Sequence, residues 1–287
     1  MGFCLANSGA HANFRFMKVS PWLFLAVFAF LLQPIFAQES GMALGNVKIL
    51  EITGTPARVS KGDGSSAPAK AGEFIQEGFT IKTAAASTVT LLMDNGALVV
   101  IQPETEFSID QFITNPFDYE GIEYRNITKE PSRSVTKLNV RSGDIFLNVV
   151  PLDKESKFDI VTPLGSAGIR GTSLSVGSRG IVVVSGLVQA ISSRGQTQML
   201  GANTGVGLGS NGFGTLTQSI ISSIAEAVAN LFQRIRPTLP VNPFAGAPPQ
   251  APVVGGGDET SDTGDQGTIN AGQTLPGSGN RPPLPSN

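Results

Sequence analysis

Thr88-Val89-Thr90-Leu91-Leu92-Met93-Asp94-Asn95-Gly96-Ala97-Leu98-Val99-Val100-Ile101 reads as one β-hairpin. Two short apolar and β-branched runs flank Asp94-Asn95-Gly96, residues that tolerate positive φ, and this combination is a strong hairpin signal. The same theme extends outward from Gly45 to about Gly209. Strands are predicted over 46–53, 79–83, 88–93, 98–101, 106–110, 135–140, 145–149, 157–161, 172–176 and 181–184, short runs of Val, Ile, Leu, Phe and Thr with alternating polarity. Gly62-Asp63-Gly64, Ser142-Gly143-Asp144 and Ser178-Arg179-Gly180 mark further turns. No helical period interrupts them. The fold class is therefore all-β, a sandwich or a solenoid-like roll of short antiparallel strands.

Composition agrees: 40% of the 287 residues are hydrophobic and only 15% charged, so the surface must be rich in Ser, Thr, Gly and Asn. Arg15 and Lys18 precede an apolar run over 22–32, and Pro34-Ile35-Phe36-Ala37 leads into the polar Gln38-Glu39-Ser40. That order is a secretory signal peptide over 1–37, with Met17 as an alternative start. A retained membrane anchor is the competing reading, but the run is shorter than the roughly 20 residues a spanning helix needs. The expected location is periplasmic or extracellular, with no membrane span once the leader is cleaved.

Cleavage removes the only cysteine, Cys4, and the only histidine, His11. Nucleophilic triads need an imidazole to carry the proton, and zinc sites depend heavily on His and Cys. Removing Arg15 and Lys18 from 20 basic residues leaves 18 against 22 acidic ones, a net charge of −4. Nucleic-acid binding, which needs a cationic surface, is not expected. Without cysteine the exported domain must be held by its core and hydrogen bonds.

Two segments depart from the strand pattern. The small, polar stretch 61–71 reads as a flexible loop. The insertion 111–134 concentrates Phe112, Phe117, Tyr119 and Tyr124 without clear strand periodicity. It reads either as a partner-binding loop or as a set of rings covering an open end of the sheet, since aromatics bury large areas.

Beyond Gly201 a Gly-rich run to Gly214 lacks the Lys-Ser or Lys-Thr of a phosphate loop and reads as a linker. An amphipathic helix is predicted within 215–236. Ile220, Ile221, Ile224, Val228, Leu231, Phe232 and Ile235 recur at three- and four-residue spacings, Thr215 or Thr217 can cap the start, and Pro237 stops it. Its stripe is expected to dock on the β domain or on another copy of the chain. The Pro- and Gly-rich stretch 237–287 cannot bury enough apolar surface to offset its ordering entropy and reads as a disordered tail.

Carboxylate pairs such as Glu104 with Glu106, or Asp118 with Glu120 and Glu123, have no spacing that singles out a glycosidase. Asp63, Asp94, Asp144 and Asp153 lie in turns without the dense Asp-x-Asp spacing of a calcium loop, so turn capping accounts for them better. No catalytic residue, metal site or cofactor is expected. The sharpest local signal is Thr162-Pro163-Leu164-Gly165-Ser166-Ala167-Gly168-Ile169-Arg170-Gly171-Thr172. Thr-Pro ends one strand, small residues permit close backbone approach, and Arg170 re-enters a β run. Its guanidinium reads either as a clamp on carbonyls and a carboxylate or as a recognition group for a partner's anion.

Thr162-Pro163, Arg170-Gly171-Thr172 and Gly186-Leu187-Val188 follow one another as in the FecR domain family, which the chain resembles over about 45–200. Gly78, Ile81, Thr83, Asp94, Gly96, Gly143 and Ile145 keep the family's order, while Phe79 stands where the family commonly has Asp. The resemblance implies an all-β extracytoplasmic domain that makes protein contacts, known in regulators relaying a signal from an outer-membrane receptor to a sigma factor. Thr162, Pro163, Arg170, Gly171 and Thr172, the family motif, are expected to play a structural role, since an Arg-Gly-Thr entering a core strand suits a backbone clamp. The expectation is a non-enzymatic protein- or ligand-binding module whose partners are proteins of the envelope or outer membrane. Two alternatives are a sensor component of envelope signalling with a separate membrane partner, and a structural or adhesive envelope protein. The oligomeric state is not legible.

Overall fold

The structure, a computed structural model, describes residues 41–54, 57–62 and 64–253. The leader read over 1–37, the turn residue Asp63 and residues 254–287 lie outside the described residues. Among the described residues nineteen strands and one α-helix follow in order: β1 (Ala43–Leu44), β2 (Val47–Thr53), β3 (Arg58–Ser60), β4 (Ser66–Pro68), β5 (Phe74–Ile75), β6 (Thr80–Lys82), β7 (Thr88–Met93), β8 (Leu98–Ile101), β9 (Glu106–Thr114), β10 (Ser134–Ser142), β11 (Asp144–Asn148), β12 (Lys157–Thr162), β13 (Gly165–Ile169), β14 (Ser173–Gly177), β15 (Gly180–Ser185), β16 (Val188–Ser192), β17 (Thr197–Leu200), β18 (Thr204–Gly209), β19 (Gly212–Gly214) and α1 (Gln218–Ile235).

The strands form two sandwich-like sheets. One runs β17-β16-β13-β12-β10-β9-β6-β3-β4, with β1 also on β9, and the other β19-β18-β15-β14-β11-β8-β7-β2-β5. From β7 onward the chain lays elements on the two sheets in turn: β7–β8 on the second, β9–β10 on the first, β11 on the second, β12–β13 on the first, β14–β15 on the second. The expected antiparallel pairing fails once. β10 and β12 are parallel, because β11 crosses to the other sheet between them and returns the chain in the same direction.

Burial explains the layering. In β12, Phe158 and Ile160 point inward while Lys157 and Asp159 point to water, the alternation of a sheet with one wet face. In β7 and β8 burial is nearly continuous, as it must be when both faces are covered. Leu91, Met93, Val99 and Ile101 meet the inter-sheet core, with Phe107, Ile145, Leu174 and Ile181. Leu92, Leu98, Val100 and Val182 face the other way, into a second apolar cluster shared by Tyr124, Phe244 and Ile221, Ile224, Val228 and Phe232 of α1. Burying each such side chain contributes about 1.5–3 kcal/mol. The apolar stripe of the helix thus docks on the β domain. Thr217 occupies the N-cap position without a side-chain cap bond.

Three expectations require correction. The stretch 61–71 contains a strand, β4, at the edge of the first sheet. The Gly-rich run is not a linker but the hairpin β18–β19, and β18 pairs with β15. A Cβ on Gly205 would meet Val182 and Ile221 at 3.1 and 3.3 Å, so close packing of the helix on this strand favours glycine there. Residues 237–253, assigned to the tail, pack against the sheet: Leu239 and Phe244 are buried, Pro252 bridges to Ala43, and the Leu44 amide donates to the Ala251 carbonyl. Proline makes such a segment cheap to order, since its φ is already restricted.

Candidate functional site

The Thr162-to-Thr172 signal folds as a hairpin and its exit. Thr162 Oγ1 donates to the Gly165 carbonyl at 3.0 Å and accepts from the Leu164 amide at 3.2 Å, closing the β12–β13 turn. At the end of β13, Arg170 Nη2 donates to the carbonyls of Lys154 at 2.7 Å and Ser156 at 3.5 Å. The guanidinium therefore clamps the turn that feeds β12, through carbonyls and with no carboxylate partner among the described residues. Gly171 adopts φ +98, and a Cβ there would lie 2.8 Å from Pro151 Cα. Thr172 exchanges both backbone hydrogen bonds with Val149 at 3.0 Å and donates through Oγ1 to the Leu187 carbonyl at 3.3 Å. Arg170-Gly171-Thr172 thus stitches the crossing from one sheet to the other.

The same segment borders a groove of about 410 Å³ on the wet face of the first sheet. Its floor is a cross-strand row in which Asp159 pairs with Gly168, Gly168 with Gln189, and Gln189 with Met199. Gly168 leaves the centre low. Leu187 and Met199, 55% and 53% exposed, form apolar walls, and Lys157, Asp159 and Arg170 supply charge of both signs. β17, which carries Met199, is the outermost strand of its sheet, so its outer backbone edge can pair with an extended segment.

Of the aromatic candidates, Phe112 and Tyr124 are not brought to a surface, while Phe117 and Tyr119 are half-buried. Phe112 is fully buried between the sheets, where a Cβ on Gly45 would lie 2.5 Å from its ring. Tyr124 is fully buried as well. Tyr119 stacks on Phe244 with ring centroids 5.1 Å apart, Tyr124 tilts against Phe244 at 5.0 Å, and Phe117 meets Tyr119 edge-on at 5.1 Å. These rings cover the outer face of the second sheet. The partner-loop reading is corrected for Phe112 and Tyr124, which have no free surface.

The hydroxyls of Tyr119 and Tyr124 converge on the β7–β8 turn at Asp94. Tyr124 Oη donates to the Asp94 carbonyl at 2.9 Å. Asp94 Oδ2 accepts from the Asn46 amide at 2.7 Å, Tyr119 Oη at 3.1 Å and Gln250 Nε2 at 3.3 Å. Oδ1 has no partner. Burial pushes the Asp94 carboxyl up to about 7, against the lowering effect of those three donors. Both phenols are likewise raised, by burial and then by the neighbouring Asp94 charge. Sequence reasoning missed Asn46, Phe244 and Gln250. Phe244 carried one signal, being the only aromatic residue in 237–287.

Several of the carboxylates weighed for catalysis or calcium are engaged in local contacts. Glu106 is paired with Lys82 at 2.9 Å and Arg141 at 3.1 Å, which hold its carboxyl below the usual range. Asp118 Oδ1 accepts from the Glu120 amide, and Asp144 pairs with Arg179 at 3.2 Å. These are structural uses of acids in turns and cross-strand pairs.

Residues 79–189 match the protein-family model described as FecR protein, a span that contains the Thr162-to-Thr172 segment and most of the groove. Two crystal structures, each described as a candidate anti-sigma factor from Parabacteroides distasonis, are similar to the chain. The first, at 2.50 Å resolution, is 14% identical with a TM-score of 0.32, over 44% of this chain and 53% of that one. The second, at 1.65 Å, is 12% identical with a TM-score of 0.37, over 57% of this chain and 80% of that one. The match thus spans about half the length of the first structure. No curated protein matches the chain.

Proposed function

We propose, taking the FecR match over residues 79–189 as premise, that this chain is a non-enzymatic extracytoplasmic module that binds a protein partner through the wet face of its first sheet. The observation that carries the reading is the groove floored by Gly168 and walled by Leu187 and Met199, set beside the Arg170 clamp. An extended segment laid along β17 would gain backbone hydrogen bonds from the free edge and bury both apolar side chains. Lys157 and Asp159 would select the register through charge. The clamp and the groove have separate roles in this reading: the first sets the strand positions, the second makes the contact.

The test is site-directed photocrosslinking from position 189 in the intact envelope, with the chain carrying wild-type Leu187 and Met199 or the pair Leu187→Asp and Met199→Asp. The expected result is a discrete crosslinked protein that disappears with the double substitution while the thermal midpoint stays within a few degrees. An unchanged crosslinking pattern in the double variant sinks the reading.

The FecR match also favours a second reading, a sensor component of envelope signalling that works with a separate membrane partner. The two diverge in the cell. Deleting the gene changes the output of a sigma factor in the second reading and leaves it unaltered in the first.

A further inference from the structure

A second cleft, of about 490 Å³, opens where the last turns of α1 meet the ends of β11, β14 and β15. Arg236 and Arg125 both line it, together with Asn148, Ser173, Ser185 and Phe232, and no acidic residue does. The Arg236 guanidinium is held in place: Nη1 donates to the Tyr124 carbonyl at 3.2 Å, and Nη2 to the Gly96 carbonyl at 3.4 Å and to Asn148 Oδ1. Arg125 donates through Nε to the Leu239 carbonyl, and no hydrogen bond occupies its two terminal nitrogens among the described residues. Neither guanidinium joins any of the ion pairs among those residues.

That arrangement is electrostatically incomplete. Burial lowers the pKa of Arg236, so its charge is partly stripped of water without a counter-charge, which is costly. Position at the negative end of α1 favours a cation and accounts for part of the placement of Arg236. It does not account for the second guanidinium, the exclusion of acids, or the hydroxyls. Asn148 Nδ2 donates to Ser173 Oγ at 2.7 Å, and Ser185 Oγ accepts from the Ser173 amide at 3.4 Å, so both hydroxyl protons remain to be donated. The free terminal fork of Arg125, the two N–H groups that Arg236 has left and two hydroxyl donors, around a cleft with an apolar wall at Phe232, suit a planar or tetrahedral oxyanion.

We propose that this cleft binds an oxyanion of the carboxylate or phosphate type, held between Arg125 and Arg236. The inference is independent of the groove on the first sheet, since the two sites share no residue. Arg125 closes on the anion with its free terminal nitrogens, and Arg236, already oriented by three acceptors, presents its remaining N–H groups without reorganising.

The experiment titrates the full chain with sodium phosphate against sodium chloride at matched ionic strength, following arginine side-chain N–H resonances. Arg125→Gln removes a guanidinium without touching the core, and Arg58→Gln on the distant β3 is the control. Saturable phosphate shifts are expected at Arg125 and Arg236, weakened about tenfold or more, a loss of roughly 1.4 kcal/mol, by Arg125→Gln and unaltered by Arg58→Gln. Displacement of phosphate by a short polyglutamate peptide identifies a partner's carboxylates as the source, and failure to displace identifies a free anion. The proposal is overturned if the phosphate shifts follow ionic strength alone, or if Arg125→Gln binds phosphate as the wild type does.

Discussion

The phenol of Tyr119 donates to Oδ2 of Asp94 at 3.1 Å, joining the loop between β9 and β10 to the β7–β8 turn. Gln250 reaches the same oxygen from the C-terminal side. One buried carboxyl therefore holds three chain segments together, and its protonation state matters to all of them.

Because burial raises the Asp94 pKa from 3.8 to about 7 on folding, the folded chain binds more protons than the unfolded chain between those values. Its stabilising contribution is complete below the unfolded pKa and is lost as pH climbs through the folded one. A tenfold change in proton affinity corresponds to about 1.4 kcal/mol, so denaturant unfolding is expected to show stability falling by a few kcal/mol from about pH 4 to about pH 8. Asp94→Asn imitates the protonated carboxyl and should flatten this slope. A wild-type slope that survives in Asp94→Asn assigns it to other groups.

Phe244 touches Phe74, Tyr119 and Tyr124. Phe244→Ala should cost about 3–5 kcal/mol, measured as a lowered denaturation midpoint. The nearby Val241→Ala, at a position 76% exposed, should stay within about 0.5 kcal/mol. Equal effects at both positions would contradict the packing of 237–253.

Gly171 and Gly168 separate folding from binding. Gly171→Ala forces a side chain into a positive-φ position against Pro151 and should cost about 1–3 kcal/mol. Gly168→Ala places a Cβ in ordinary contact, 3.4 Å from Asp159 Oδ1. It should leave the thermal midpoint almost unaltered while raising the groove floor and reducing crosslinking from position 189.

Arg170→Met keeps the stem and removes the clamp on the Lys154 and Ser156 carbonyls. A loss of about 1 kcal/mol is expected, with faster amide exchange confined to the turn before β12 and its first residues. If exchange there is unaltered while partner crosslinking is lost, Arg170 is a recognition group instead.

Much of the β architecture was legible because its signals are local. Turn chemistry at Asp94-Asn95-Gly96, two-residue alternation at 157–161 and the three- and four-residue recurrence from Ile220 to Ile235 each act within one element. The site was less legible. The Thr162-to-Thr172 segment stood out, but nothing local announced that Gly168 would lie beside Gln189 and Met199, or that Arg170 would reach back to Lys154.

By itself, the sequence determined where the chain turns, which residues alternate, where the amphipathic helix lies, and the resemblance to FecR that the family model matches over 79–189. Only the tertiary structure decided which sheet each hairpin joins, that Phe112 and Tyr124 are core, and that Asp94 is buried. The reason is range. Turn and periodicity preferences are set by neighbours a few residues away, whereas desolvation of Asp94 depends on Gln250, 156 residues further along the chain, and on Phe244 closing the apolar cover nearby.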